Sequence, residues 1–218
     1  MTNAIPKTEV IFILDGSGSM FSLAKETVSA YNEQLLTIKS LDNQDINVSI
    51  VSFNTNRTWH KERVNIKEIT LLEDKEYRPQ GGTALFDTLG FVCNKFRNIQ
   101  TEAVLVYILT DGEENASREY TGEAIASLIK ELQDTDKWTF VYVGATPNIV
   151  EIAKTLNIPS SNSAVYAASG DGMVMASAGM SNTTTSYFQS RSEGFTSRVN
   201  LTNTEELPAN WQTKNSEK

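Results

Sequence analysis

Two apolar runs in this chain end in the same way. Phe12-Ile13-Leu14 is closed by Asp15-Gly16, and Ile108-Leu109-Thr110 is closed by Asp111-Gly112. A short, unbroken apolar run cut off by a carboxylate and a glycine reads as a strand covered on both faces, and such strands belong to parallel sheets. In an open parallel sheet, ligands bind beyond the carboxyl ends of the strands, where the winding direction reverses. The repeated ending therefore constrains fold and site together. If the two strands are neighbours, both carboxylates project into one crevice.

The rest of the chain alternates between helical and strand patterns. Phe21, Ala24, Val28, Tyr31, Leu35 and Ile38 recur at steps of three and four, which predicts an amphipathic helix with Ser19 as its N-cap. Ile46 to Phe53 reads as a strand, and the Asn-rich turn after it sends the chain back through Thr58 to Val64 as an antiparallel edge strand. Gly81-Gly82-Thr83 opens a helix whose inner face carries Leu85, Phe86, Leu89, Val92, Cys93 and Phe96, with Thr83 able to cap it. A strand from Ala103 to Leu109, a helix marked by Ile125, Leu128, Ile129 and Leu132, and a strand from Trp138 to Val143 follow. A helix through Ile149, Ile152, Ala153 and Leu156 then stops near Pro159.

This order predicts an α/β fold: a doubly wound, mostly parallel sheet with helices on both faces and one antiparallel edge strand. Residues 1–158 are expected to form the core domain. Residues 159–218, richer in Ser, Thr and Asn, are expected to pack on the same domain and to end in a polar tail. Gly170 to Gly179 reads equally as a helix start and as a loop, and Leu207 and Trp211 are candidate anchors for the tail.

The chemistry lies in Asp15-Gly16-Ser17-Gly18-Ser19, which sets one carboxylate and two hydroxyls at alternate positions. Oxygen donors on a tight glycine turn suit a hard divalent cation. Thr83 is a third hydroxyl that the fold can bring to the same end of the sheet. Asp87 lies four residues on, on the same helical face, and a structural hydrogen bond into the loops is as good a reading of it. Glu113 and Glu114 beside Asp111 are expected in solvent, where they would tune the local potential.

Other chemistries lack their residues. The net charge of -8 speaks against nucleic acid as a partner. A single cysteine, Cys93, excludes an intrachain disulfide and a thiolate cluster, and its helical spacing with Leu89 and Phe96 puts it in the core. The only histidine, His60, follows Trp59 on the edge strand and is expected at the surface, with no Ser-His-Asp set around it. There is no phosphate-binding loop, and Gly16-Ser17-Gly18 fails the dinucleotide pattern. The chain is therefore not expected to be an enzyme. Met1 to Lys7 has no apolar signal region, and the first apolar run stops at Asp15, so no membrane segment and a cytoplasmic location are expected.

With these segments in hand, the chain resembles a von Willebrand factor type A (vWA) domain. The metal-ion-dependent adhesion site of that family is written Asp-x-Ser-x-Ser, then a distant Thr, then a later Asp-Gly. Asp15, Ser17, Ser19, Thr83 and Asp111 match it in order. Gly81-Gly82-Thr83-Ala84-Leu85 and Leu109-Thr110-Asp111-Gly112 are also similar to small stand-alone versions from bacteria and their phages. The resemblance implies that Ser17 and Ser19 ligate a cation directly, Thr83 directly or through water, and Asp15 and Asp111 through water. Asp87 and Glu113 are candidates for the layer of residues behind these ligands. Mg²⁺ is the implied cofactor, with Mn²⁺ or Ca²⁺ able to substitute. The implied function is metal-dependent binding of a protein partner that presents a carboxylate. A structural component with a fold-bracing metal, and a metal-dependent hydrolase, are the competing readings.

Overall fold

In the computed structural model of the chain, the described residues are 7–192 except 43, 102, 112, 145–148 and 166–169; for 170–179 and 192 only the backbone is described. The strands are β1 (Lys7–Asp15), β2 (Asp45–Phe53), β3 (Arg57–Asn65), β4 (Ala103–Thr110), β5 (Trp138–Gly144) and β6 (Ser163–Val165). The helices are α1 (Ala24–Lys39), α2 (Leu85–Phe96), α3 (Gly122–Gln133), α4 (Ile149–Thr155) and α5 (Gly170–Ser192). The strands form one sheet in the order β3-β2-β1-β4-β5-β6. All neighbours are parallel except the β2–β3 pair.

The sequence explains who sits where. Every residue of β4 is buried, as are all of β1 except Lys7, so these runs take the centre of the sheet. They are direct neighbours, with Leu14 opposite Leu109. On one face Val10, Phe12 and Leu14 meet Tyr31 and Leu35 of α1 and Tyr187 and Phe188 of α5. Phe12 stacks on Tyr107 at 5.0 Å between ring centroids and meets the edge of Tyr31 at 4.9 Å. On the other face Ile11 and Ile13 meet Leu89, Val92 and Phe96 of α2 and Ile125 and Ile129 of α3. Cys93 is fully buried there, and burial pushes its thiol up to about 12.

β3 is half exposed and carries Lys61, Glu62 and Arg63, which keeps a bare sheet edge from pairing with another chain. His60 is half-buried on it, 2.8 Å from Ser52 Oγ through Nε2, and burial lowers its pKa. Among the described residues no carboxylate is hydrogen-bonded to its ring, so the pair does not extend to a triad.

Three local expectations change. Phe21 is 75% exposed rather than on the inner face of a helix. The chain takes a 3-10 turn over Gly18–Leu23 before α1, and that tighter winding points Met20 and Leu23 inward instead. Ser19 caps nothing, because α1 begins at Ala24 without a side-chain cap. Likewise α2 begins at Leu85 after Ala84, and its N–H groups at Phe86 and Asp87 go to Glu114 and Ser117, so Thr83 is not a capping residue.

The open reading of Gly170 to Gly179 resolves as helix within α5. That helix lies on α1, where Gln34 donates to Ser181 Oγ at 2.8 Å and accepts from the Thr184 hydroxyl at 3.2 Å. Leu207 and Trp211 lie outside the described residues.

Candidate metal centre

The turn after β1 closes on itself. Asp15 is wholly buried, and its Oδ1 accepts the Ser17 N–H at 2.8 Å. Its Oδ2 accepts the hydroxyl of Thr110, the last residue of β4, at 2.6 Å. The hydroxyl of Tyr77 donates to the Asp15 carbonyl. Burial raises the Asp15 carboxyl above the usual range; the donors Thr110 and Ser17 oppose this, and the neighbouring Asp111 charge adds to it.

From this floor a chain of oxygens runs outward. Ser17 Oγ lies 3.0 Å from Ser19 Oγ, and the Ser19 hydroxyl donates to Asp111 Oδ1 at 2.8 Å. Ser17 is buried, Ser19 exposed and Asp111 half-buried, so the row climbs from the sheet to the surface.

Thr83 enters from a separate segment that is bonded to the same turn. Gly18 N–H donates to the Gly81 carbonyl at 2.9 Å, and Gln80 N–H donates to the Gly16 carbonyl at 2.7 Å. Thr83 is 2% exposed, and its hydroxyl has no hydrogen-bond partner among the described residues. A hydroxyl that makes no hydrogen bond among the described residues, on the segment bonded to the serine turn, fits a cation ligand. No group of three or more His, Cys, Asp or Glu suited to a metal occurs among the described residues. An ion held here would depend on hydroxyls and two aspartates, and the aspartates carry the formal negative charge of the set.

The fold is that of the vWA domain. The sequence model of the von Willebrand factor type A domain matches residues 9–177, most of the chain. The chain belongs to the vWA family. Among solved structures, the pilus adhesin SpaC of Lactobacillus rhamnosus GG superposes with a TM-score of 0.67 at 14% identity, covering 85% of this chain and 31% of that one. The vWF domain of the pilus tip protein Mfa5 of Porphyromonas gingivalis gives 0.62 at 9% identity, with 87% and 96% covered. Proximal thread matrix protein 1 from the mussel byssus gives 0.57 at 15% identity, with 82% and 46% covered. This chain thus spans less than half of the adhesin and of the matrix protein. No protein of curated function matches its sequence. The vWA fold serves here in adhesion and matrix proteins, as it commonly does in protein interaction. No described helix is long and apolar enough to cross a membrane.

Among the described residues, Asp87 and Glu113 make no hydrogen bond to Asp15, Ser17, Ser19, Thr83 or Asp111. The Asp87 carboxylate accepts the backbone N–H groups of Arg118, Glu119 and Tyr120 at 2.8, 2.8 and 2.9 Å. Burial alone would raise its pKa, but those donors hold it below the usual carboxylate range. These are hydrogen bonds into the loops, of the kind the sequence also allowed for Asp87. Glu113 is exposed and has no hydrogen bond among the described residues.

Glu114, expected in solvent, is half-buried. It accepts from Ala116 N–H, Ser117 N–H, the Ser117 hydroxyl and Phe86 N–H, at 2.7 to 3.0 Å. Asn115 was not singled out, yet it bonds Thr83 at both ends. Its Oδ1 accepts the Thr83 N–H at 2.9 Å, and its N–H donates to the Thr83 carbonyl at 3.0 Å. The one sequence signal for this pair is the clustering of acceptor side chains straight after a strand end, a loop-organising pattern.

Proposed function

We propose that Asp15, Ser17, Ser19, Thr83 and Asp111 hold a divalent cation, and that the domain uses it to bind a protein partner presenting a carboxylate. The observation that carries this reading is the row Asp15–Ser17–Ser19–Asp111 at the carboxyl ends of two adjacent central strands, with the Thr83 hydroxyl, unbonded among the described residues, in the segment tied to it. Mg²⁺ suits such oxygens best, since it prefers six oxygen ligands and keeps several waters; Mn²⁺ or Ca²⁺ would substitute. Neutral hydroxyls take little of the ion's charge, so an incoming carboxylate is a favoured additional ligand.

The same residues argue for a module without catalysis. A binding site needs no nucleophile or general base, and the described site holds no activated one. The fold neighbours, two pilus components and a thread matrix protein, lend a binding role further support.

The test is calorimetric titration with Mg²⁺ of the parent, Ser17→Ala and Asp111→Ala, followed by capture of partners from the native host in Mg²⁺ or in chelator. The parent should bind Mg²⁺, both variants should lose at least tenfold in affinity, and capture should need the ion. A parent that takes no Mg²⁺ ends the proposal. A partner held equally well in chelator, by a parent that does bind Mg²⁺, would leave the ion a fold-bracing role only.

A further inference from the structure

Residues 114–120, in the segment after Asp111, are fastened to Thr83 and the first turns of α2. Asn115 bonds Thr83 through its N–H and its side-chain oxygen. Glu114 accepts from Phe86 N–H, and the Ser117 hydroxyl accepts from Asp87 N–H. The Asp87 carboxylate returns to take three successive N–H groups, of Arg118, Glu119 and Tyr120. Tyr120 closes the run: its ring lies over Gly90, where an added Cβ would meet ring atoms at 2.6 Å, and its hydroxyl accepts from Asn94 Nδ2 at 3.1 Å. Gly82 is also fitted to this arrangement, since a Cβ there would come within 2.9 Å of Asn115 Oδ1.

We propose that Asn115 and Asp87 are positioning residues that make Thr83 and the Asp111 loop one rigid half of the cation site. The inference rests on the cation reading for its effect on metal, but the coupling itself is a property of the metal-free protein. The chemistry favours it. Asn115 uses a side-chain oxygen and a main-chain N–H on a single residue, so Thr83 is gripped in two directions. A carboxylate receiving three main-chain donors fixes the backbone of 118–120 as firmly as a helix turn does. By contrast, among the described residues the turn at Ser17 and Ser19 meets Asp111 through one hydroxyl–carboxylate bond, at 2.8 Å. The serine turn is also tied to the segment before Thr83, by Gly18 N–H to the Gly81 carbonyl and Gln80 N–H to the Gly16 carbonyl, so a change at Thr83 reaches the 114–120 loop through Asn115 and the serine turn through residues 80–81.

Amide hydrogen exchange on the metal-free protein tests the coupling. Asp87→Asn should speed exchange at 118–120 and at Thr83 alike, by at least tenfold. Asn115→Ala should do so at Thr83, and Asn115→Asp, which keeps the oxygen, should restore protection. Faster exchange at 118–120 with Thr83 unchanged in Asp87→Asn overturns the proposal.

Mg²⁺ titration then separates positioning from plain stability. Asn115→Ala should lose about tenfold in Mg²⁺ affinity, while Ile129→Val, a core variant distant from the site in the fold, should melt earlier with affinity unchanged. If both lose affinity in proportion to their melting temperature, Asn115 acts through stability and the positioning role is wrong. If the parent binds no Mg²⁺, the cation reading fails, and the exchange result still decides the coupling.

Discussion

Asp15 and Asp111 close two neighbouring strands in the same way, yet they live in different physical settings. Asp15 is wholly buried, with both carboxylate oxygens engaged by Ser17 N–H and the Thr110 hydroxyl. Asp111 is half-buried, and its described side-chain bond is to the Ser19 hydroxyl. The difference follows from the register. Asp15 lies beside Phe53 at the end of β2, and Thr110 of β4 reaches it from the other side. Asp111 is one residue past the end of β4 and begins a loop that turns over α2. One aspartate is a floor and the other a rim. A shared motif therefore does not mean a shared role.

That contrast breaks most sharply at Asp15. Asp15→Ala removes the acceptor of both donors inside the sheet's end, and we expect a loss of about 2 to 3 kcal/mol in stability, read by denaturant unfolding without metal. Asp15→Asn, which keeps one acceptor, should recover roughly half of that. An Asp15→Ala protein as stable as the parent would dissolve the floor.

Next in size is Asp87. Its three N–H donors lie near the surface, where water replaces part of what is lost, so Asp87→Ala should cost about 1 to 2 kcal/mol. Its pH dependence has a definite sign. The folded state holds this carboxyl below its unfolded value of about 3.9, so the contribution is full above that pH and is lost as pH falls through the folded pKa. Unfolding measured between neutral and strongly acid pH should fall less steeply in Asp87→Asn than in the parent. Equal acid slopes would show that the three amides do not hold the charge.

Much of this was legible in the sequence, because it rests on burial. The unbroken runs of β1 and β4 announced a doubly wound sheet, and their endings meet at one end of it because the two strands are neighbours. The antiparallel edge position of β3 followed from the Asn-rich turn after β2. The rest escaped for physical reasons. Periodicity assumes α-helical winding, so it carried Phe21 into a helix that the 3-10 turn delays until Ala24. Gly170 to Gly179 has few large apolar residues, so periodicity has little to read there. The fastening of 114–120 to α2 depends on side chains bonding to distant backbone, which no spacing rule encodes. Glu114 and Asp87 look like ordinary surface acids until the loop is folded over them.

A smaller effect tests how tightly that fastening is packed. Gly90→Ala would press a methyl group into the Tyr120 ring, which must move aside. We expect a loss of about 1 kcal/mol, beyond the helix-propensity gain that alanine brings. Gly90→Ala combined with Tyr120→Ala should recover most of it, and a thermal melt of the pair and both singles reads the coupling. If the double variant shows no recovery, the ring contact is incidental.

The smallest expected effect on stability is the most instructive, because it belongs to the rim. Asp111→Ala removes one bond from the Ser19 hydroxyl at an exposed position, and water can take its place. Metal-free unfolding should change by no more than about 0.5 kcal/mol. Under the cation reading the same variant should forfeit the added stability that Mg²⁺ gives the parent, which at a hundredfold excess over the dissociation constant is about 2.7 kcal/mol. Asp15→Ala should lose both quantities, Asp111→Ala only the second. Unfolding curves of the three proteins, with and without Mg²⁺, place each aspartate on its own axis. A metal-free loss at Asp111 as large as that at Asp15 would make the two residues equivalent, and the distinction between floor and rim would fall.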